Sequence, residues 1–121
     1  MIHAETQLFV YIIIMMKMVD EKLLQIGKEF ADFVYLRMQN VGLRTLDYLC
    51  AKALYMISII YEKNGLLNKI RPMMFESHKN SSLRQDQQGQ ATAMNIILRS
   101  YLDEKLYDQA RNFITKTTFP E

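Results

Sequence analysis

The last third of the chain, residues 89–121, carries apolar side chains at helical spacing on both sides of a short polar turn, Asp103-Glu104-Lys105. Before the turn, the apolar positions recur every three or four residues, which puts them on one face of a helix; they are Ala91, Met94, Leu98, Tyr101 and Leu102. After the turn, the same spacing holds for Leu106, Ala110, Phe113 and Ile114. The stretch therefore predicts an antiparallel helical hairpin, which cannot bury its outer apolar stripe without a neighbour.

Two segments upstream, residues 11–30 and 55–75, repeat the pattern of residues 95–114. Each has an apolar helix end, a polar turn, and a leucine at the start of the next helix: Leu23, Leu66 and Leu106. The spacing of roughly 40 residues is the period of helical-hairpin arrays, and about three hairpins are the minimum for a stable stack. The sequence therefore predicts an all-α fold, a right-handed stack of about three antiparallel helical hairpins forming a tetratricopeptide-like solenoid.

We expect one helical-repeat domain over residues 1–121, with hairpins at about 3–38, 44–80 and 89–117. The first helix is predicted over about 3–18, followed by the turn Val19-Asp20-Glu21 with Asp20 as the N-cap of the next helix. Gly27 lies inside that second helix, where glycine costs about 1 kcal/mol relative to alanine. It is therefore expected to mark a close helix contact.

The third helix, predicted over about residues 44–63, carries two apolar stripes, the second made by Tyr48, Tyr55 and Ile59 with Lys52 between them. A helix of this kind is expected to pack between two layers. Asn64-Gly65 ends it. Pro72 falls several residues inside the fourth helix, which predicts a kink or a restart there. The polar residues 78–88 are predicted to form a helix end and then a loop.

Composition limits the class of partner. The 15 basic and 13 acidic residues are well mixed, so a nucleic-acid surface, which needs clustered basic residues, is not expected. The single cysteine permits no intrachain disulfide and fits a reducing compartment, cytoplasm or nucleus. The apolar run at residues 8–16 is too short for a membrane span of about 20 residues, and no Lys or Arg precedes it. We therefore expect a buried helix rather than a membrane or targeting segment.

Candidate catalytic chemistry is weak. Cys50, His78 and Asp86 could be combined as a nucleophilic site, but Cys50 lies among apolar positions of its helix, which predicts a buried structural cysteine. The histidines, His3 and His78, have no second ligand at metal-binding spacing. We therefore predict no enzyme activity and no cofactor or metal.

Four residues are our candidates for protein contact. Thr92, Asn95 and Arg99 form a polar stripe on the fifth helix, opposite the face predicted to enter the core. In a hairpin stack such a stripe can line the concave surface. Phe119, close to the last residue, is expected to be exposed.

Three strings resemble a known family, and the resemblance is dense from Leu43 to Glu121. They are LRTLDYLCAKALYM from Leu43, LRQDQQGQAT from Leu83 and NIILRSYLDEKLYDQA from Asn95, followed by the closing Phe119-Pro120-Glu121. All are similar to the family of non-ATPase regulatory subunit 3 of the 26S proteasome. The resemblance implies a non-enzymatic scaffold of the lid, in which helical repeats lead into a PCI domain that this chain is expected to lack. It also implies contacts with other lid subunits in ubiquitin-dependent protein degradation.

Three alternatives remain open at this point. A related PCI-family scaffold, from the COP9 signalosome or a translation initiation factor, shares the expected fold, although the strings at residues 89–92 and 107–110 argue against it. A small helical adaptor for nucleic acid and an enzyme with Cys50 as nucleophile belong to other classes. Exposed ends of the stack also favour self-association of the isolated chain, since solenoids normally carry polar caps.

Overall fold

The computed structural model describes residues 4–39, 47–83 and 85–118. In these ranges the chain forms α-helices and one 3₁₀ turn and no β-strand, so the all-α prediction is confirmed. The elements are α1 (Ala4–Asp20), α2 (Leu24–Gln39), α3 (Asp47–Lys63), the 3₁₀ turn (Leu67–Ile70), α4 (Arg71–Leu83), α5 (Gln87–Asp103) and α6 (Tyr107–Thr118).

Helix α3 is the centre of the stack. It packs against α1 and α2 on one side and against α5 and the 3₁₀ turn on the other, so its predicted position between two layers is confirmed. Its second stripe does not make that packing, because Tyr48 and Tyr55 are exposed. Helix α4 packs along α5, and α6 also packs against α5. Every element from α1 to α5 supplies a side chain that is completely buried in one continuous core; these include Met15, Val34, Ile57, Ile70, Met74 and Ile97.

Two buried tyrosines cross-link the helices. The Tyr35 hydroxyl of α2 donates to Glu76 Oε1 of α4 at 2.7 Å and lies 3.1 Å from the Met73 carbonyl oxygen. The Tyr61 hydroxyl of α3 donates to the Asp32 carboxylate of α2. Burial, reinforced by Glu76, raises the pKa of Tyr35 to about 12, and burial together with Asp32 raises the pKa of Tyr61 as well. Both hydroxyls therefore stay protonated and donate to these acceptors at neutral pH.

Four helices end in the same backbone motif. In α1, the amide of Leu23 donates to the Met18 carbonyl at 3.0 Å while Lys22 takes a left-handed φ of 59°. The ends of α3, α4 and α5 repeat this 6→1 hydrogen bond, from Leu66, Asp86 and Leu106 respectively. This is the Schellman motif, which normally adds an apolar contact at the residue after the left-handed one. The recurring leucine of the sequence pattern is that residue.

The turn of the first hairpin lies later in the chain than predicted. Asp20 is the last residue of α1 rather than an N-cap, because the Schellman bonds at Lys22 and Leu23 extend the helix past residue 18. Gly27 is buried between α1 and α3: a Cβ there would lie 3.7 Å from Met18 Cβ of α1 and 3.8 Å from Ile60 Cγ2 of α3, at ordinary contact distance. Residue 3 and residues 44–46, predicted to be helical, lie outside the described residues.

The restart predicted at Pro72 is confirmed. The chain leaves α3 at Gly65, whose φ is 72°, and makes the 3₁₀ turn before α4 begins at Arg71. Pro72 is thus the second residue of a new helix. In the first turn of a helix the missing proline N–H has no intrahelical partner to lose, so the helix continues unbroken to Leu83.

Residues 78–88 were predicted to form a helix end and then a loop, and the helix end is confirmed. The loop is much shorter than predicted, because α4 continues to Leu83 and α5 begins at Gln87. Ser77 and Ser81 are buried on the inner side of α4, whereas Lys79 and Asn80 face solvent, so this polar segment is the outer face of a helix. Asp86 then caps α5 by accepting the Gly89 N–H at 3.0 Å. The connection between the end of α4 and the capped start of α5 is therefore short.

The face of α5 that enters the core was also predicted wrongly. The buried residues are Gly89, Ala93, Ile96, Ile97 and Ser100, whereas Ala91 and Leu102 are exposed. Met94, Leu98 and Tyr101 are only partly buried. The buried face includes Gly89 and Ser100, which do not count as apolar in a sequence pattern. Ser100 can be buried because its hydroxyl donates to the Ile97 carbonyl at 2.7 Å.

The two buried glycines should respond oppositely to alanine. In Gly89→Ala the new Cβ would lie 2.3 Å from Asp86 Oδ2 and 2.4 Å from Ser81 Oγ, which displaces the side chain that caps α5. We expect a loss of about 1–3 kcal/mol in the free energy of unfolding. In Gly27→Ala the nearest atoms are at ordinary contact distance, so the helix propensity of alanine should leave stability unchanged or raise it by up to about 1 kcal/mol.

Urea unfolding followed by circular dichroism measures both variants. Equal destabilisation of the two proteins would contradict the close packing assigned to Gly89.

Alkaline pH should weaken the link made by Tyr35. Its pKa rises from an ordinary 10.0 to about 12 in the folded protein. Between these values the unfolded chain loses a proton that the folded chain keeps, so the contribution of Tyr35 is complete below about pH 10 and is lost as the pH rises to about 12. Tyr35→Phe should therefore make the fall in the free energy of unfolding over this range shallower.

Urea unfolding at a series of pH values tests this. Tyr107→Phe removes a hydroxyl from a side chain that is 58% exposed and is the matched control. A slope in Tyr35→Phe as steep as in the control variant would contradict the assignment.

Candidate protein-binding groove

Helices α1, α3 and α5 line an open groove of about 450 Å³. This volume is within the usual range for ligand-binding clefts. The lining residues are Ile12 and Met16 of α1, Tyr48, Ala51, Lys52, Tyr55 and Met56 of α3, and Gln88, Thr92, Asn95, Ile96 and Arg99 of α5. We refer to this surface as the groove.

Helical spacing explains why these side chains converge. Tyr48, Lys52 and Tyr55 follow one another at steps of four and three residues and therefore share one face of α3. Gln88, Thr92, Asn95 and Arg99 repeat that spacing on α5. The opposite faces of both helices are committed to the core, which holds the two rows of side chains in place.

The chemistry of the groove changes across the three helices. Its α1 side is apolar, and Met16 is 50% exposed. The α3 row presents the rings of Tyr48 and Tyr55, which are 55% and 51% exposed. The α5 row presents the Thr92 hydroxyl, the side-chain amides of Gln88 and Asn95, and the Arg99 guanidinium. An apolar wall, amphipathic rings and a hydrogen-bonding wall are the features of a protein-binding surface.

Among the described residues that line the groove, two are cations, Lys52 and Arg99, and none is a carboxylate. Lys52 Nζ lies 5.1 Å from the centroid of the Tyr48 ring and makes no ion pair with a described carboxylate. Arg99 Nη2 is 2.5 Å from Glu62 Oε1, with the two side chains 43% and 36% exposed. Exposed ion pairs of this kind contribute little to stability, so both cations can be used to attract an acidic partner.

The structure brings together three of the four candidate contact residues. Thr92, Asn95 and Arg99 all line the groove, and Phe119 lies outside the described residues. Their role in protein contact remains a prediction. Tyr48, Lys52 and Tyr55 were missed as contact residues, because their spacing was interpreted as a second packing stripe. Lys52 in the middle of that stripe was the available signal that it faces solvent.

The residues considered for catalysis make structural contacts. Cys50 was predicted to be a buried structural cysteine; it packs against the core but is only partly buried, beside a cavity of about 60 Å³. The His78 ring lies 6.1 Å from the ring of Phe113, and the Asp86 side chain caps α5. Among the residues that the structure describes, no three His, Cys, Asp or Glu side chains are grouped to hold a metal ion. In the same ranges, every helix is too short or too polar to cross a bilayer.

The whole chain, residues 1–121, matches a family model described as PSMD3-like, N-terminal TPR repeats. The 26S proteasome non-ATPase regulatory subunit 3 homolog A of Arabidopsis thaliana is 34% identical over 113 residues, which cover 93% of this chain and 23% of that protein. The probable 26S proteasome non-ATPase regulatory subunit 3 of Drosophila melanogaster is 32% identical over 118 residues, covering 98% and 24%.

The probable 26S proteasome regulatory subunit rpn3 of Schizosaccharomyces pombe is 30% identical over 118 residues, with shares of 98% and 24%. The chain thus spans about a quarter of the length of the curated relatives it matches.

Proposed function

Because this chain belongs to the family of PSMD3-like, N-terminal TPR repeats, we propose that it is a non-catalytic scaffold segment of the proteasome regulatory-particle lid. It acts through contacts with other lid subunits in ubiquitin-dependent protein degradation, in the cytoplasm and the nucleus. The family and the names of the relatives, proteasome regulatory subunits, support this proposal. No nucleic acid or membrane partner is part of it.

The observation that carries the scaffold role is the groove between α1, α3 and α5. Scaffold contacts need a rigid surface with side chains left free to meet a partner, and the core-facing residues of α3 and α5 fix the groove from below. Tyr48 and Tyr55 offer large, half-exposed rings with few rotatable bonds, the type of residue that dominates binding energy at interfaces.

The two walls of the groove have separate roles in this proposal. The apolar wall at Ile12 and Met16 gains by excluding water from a partner's apolar side chains. Thr92, Asn95 and Arg99 donate and accept hydrogen bonds that fix the partner's register, and Lys52 favours a partner segment with a carboxylate. Lys52, Asn95 and Arg99 are exposed, so they can be changed without unfolding the chain. Ile12, by contrast, is part of the core.

A matched pair of tyrosines makes the proposal testable. The tagged chain is captured from a lysate of its own cells and the recovered proteins are identified by mass spectrometry. We expect other lid subunits with the wild-type chain. Tyr55→Ala should reduce their recovery about tenfold, which corresponds to the loss of one interface hot spot. Tyr107→Ala removes an equally exposed tyrosine from α6 and should leave recovery unchanged.

Three results would count against the proposal. Absence of lid subunits from the wild-type sample contradicts the scaffold role in the lid. Recovery of COP9 signalosome or initiation-factor subunits in their place would mean that the chain is a scaffold of that other complex. Equal recovery with Tyr55→Ala and Tyr107→Ala contradicts the assignment of the groove. Thermal unfolding of each variant checks that the fold is intact, since both side chains are half-exposed.

A further inference from the structure

The turn that follows α3 contains an asparagine next to a glycine, Asn64-Gly65. Asn64 is partly buried and Gly65 is exposed, and a Cβ built on Gly65 meets no atom within 4 Å. The side-chain amide of an asparagine is attacked most readily by the backbone nitrogen of a following glycine, because no Cβ hinders that nitrogen. The sequence at this turn is therefore chemically suited to spontaneous deamidation.

The side chain of Asn64 joins α3 to α2. Its Nδ2 atom donates to the Leu24 carbonyl at the start of α2 at 3.0 Å and to the Ile60 carbonyl of α3 at 2.9 Å. Because both partners are acceptors, the position needs a group with two donor hydrogens, which a side-chain amide has and a carboxylate lacks. The link between the two helices thus depends on residue 64 being an amide.

The backbone of the same turn is held by its Schellman motif. The Gly65 N–H donates to the Glu62 carbonyl at 2.9 Å, and the Leu66 N–H donates to the Tyr61 carbonyl at 2.8 Å. The nitrogen that would attack is therefore hydrogen-bonded, and so is the amide that it would attack. Deamidation of Asn64 requires this turn to open first.

We propose that Asn64 is a site of spontaneous deamidation that the folded turn suppresses, and that the reaction removes the link between α2 and α3. In the open turn, the Gly65 nitrogen gives its proton to hydroxide and forms a bond to Asn64 Cγ. The bond from Cγ to Nδ2 then breaks, and ammonia leaves with a proton taken from water, which regenerates the hydroxide. Water opens the resulting cyclic imide at either carbonyl and gives aspartate or isoaspartate, so the net change is water consumed and ammonia released.

Neither product restores the link. A carboxylate at residue 64 cannot donate to the Leu24 and Ile60 carbonyls, and its negative charge lies at the C-terminal end of α3, where the helix dipole disfavours it. Isoaspartate also adds a methylene to the main chain, which moves Gly65 and Leu66 out of register with their Schellman acceptors. The start of α2 is then held less tightly to the end of α3.

The other Schellman turns of the chain supply a matched control. Lys22, Gln85 and Lys105 take left-handed φ values of 59°, 58° and 60° at the position where Gly65 has a φ of 72°. Gly65→Lys therefore introduces a residue that the same motif accepts twice elsewhere, with open space for the side chain. Its Cβ hinders the attacking nitrogen, so we expect deamidation of Asn64 to slow about tenfold.

Peptide mapping by mass spectrometry measures the reaction. The full chain and Gly65→Lys are incubated at one mildly alkaline pH, folded and in guanidinium chloride, and the fractions of aspartate and isoaspartate at residue 64 are followed in time. The folded wild-type chain should react at least about tenfold more slowly than the unfolded one, because opening the turn breaks the hydrogen bonds of Asn64, Gly65 and Leu66. In guanidinium chloride, Gly65→Lys should react more slowly than the wild type.

Asn64→Asp imitates one product and tests the loss of the link. Hydrogen exchange followed by nuclear magnetic resonance reports the Gly27 amide, which donates to the Leu23 carbonyl at the start of α2, and the Leu66 amide of the turn. Both should exchange about tenfold faster in Asn64→Asp than in the wild type. The Leu106 amide makes the same 6→1 hydrogen bond at the end of α5 and should be unaffected.

Each arm of the experiment can overturn the inference, and none depends on lid binding. Equal rates in the folded and the unfolded wild-type chain would mean that the turn does not protect Asn64. Equal rates for the wild type and Gly65→Lys in guanidinium chloride would mean that the Gly65 nitrogen is not the attacking group. Unchanged exchange at Gly27 and Leu66 in Asn64→Asp would mean that the amide does not hold α2 to α3.

Discussion

The packing of α3 between two layers is the interaction on which the rest of the structure depends. A single helical hairpin leaves one apolar side uncovered, and α3 covers two neighbours at once. Its Ala53 and Ile57 are completely buried, as are Met15 of α1 and Ile97 of α5. Truncating a buried side chain of this size typically costs about 2–5 kcal/mol, so loss of this layer would separate the first hairpin from the last.

The same packing creates the groove. When α1, α3 and α5 lie side by side with their inner faces buried, one row of side chains on each helix is left along the groove. The core therefore determines where the groove lies, while the residues in the groove are free to vary in chemistry. The connections between the helices are also regular, since α1, α3, α4 and α5 end in the same Schellman hydrogen bond.

The sequence predicted the helices, the central position of α3, the restart at Pro72 and the family, because apolar spacing, Gly65 and long strings are direct signals. It did not predict the helix ends at Lys22, Gln85 and Lys105, since these residues take left-handed φ values without glycine. The buried face of α5 was missed because it includes Gly89 and Ser100, which are not apolar. In the groove, Thr92, Asn95 and Arg99 were found as a polar stripe, but the tyrosines of α3 were assigned to packing because exposure cannot be inferred from residue type.

Cross-linking mass spectrometry of the complex isolated with the tagged chain tests the central claim most directly. An amine-reactive linker should join Lys52, which is exposed in the groove, to another lid subunit. The fraction of Lys52 that reacts with only one end of the linker should be lower in the complex than in the free chain, because the partner covers this side chain. Lys79, exposed on α4 outside the groove, provides the internal comparison. A Lys52 that is labelled equally in both samples and joined to no other subunit would contradict the account.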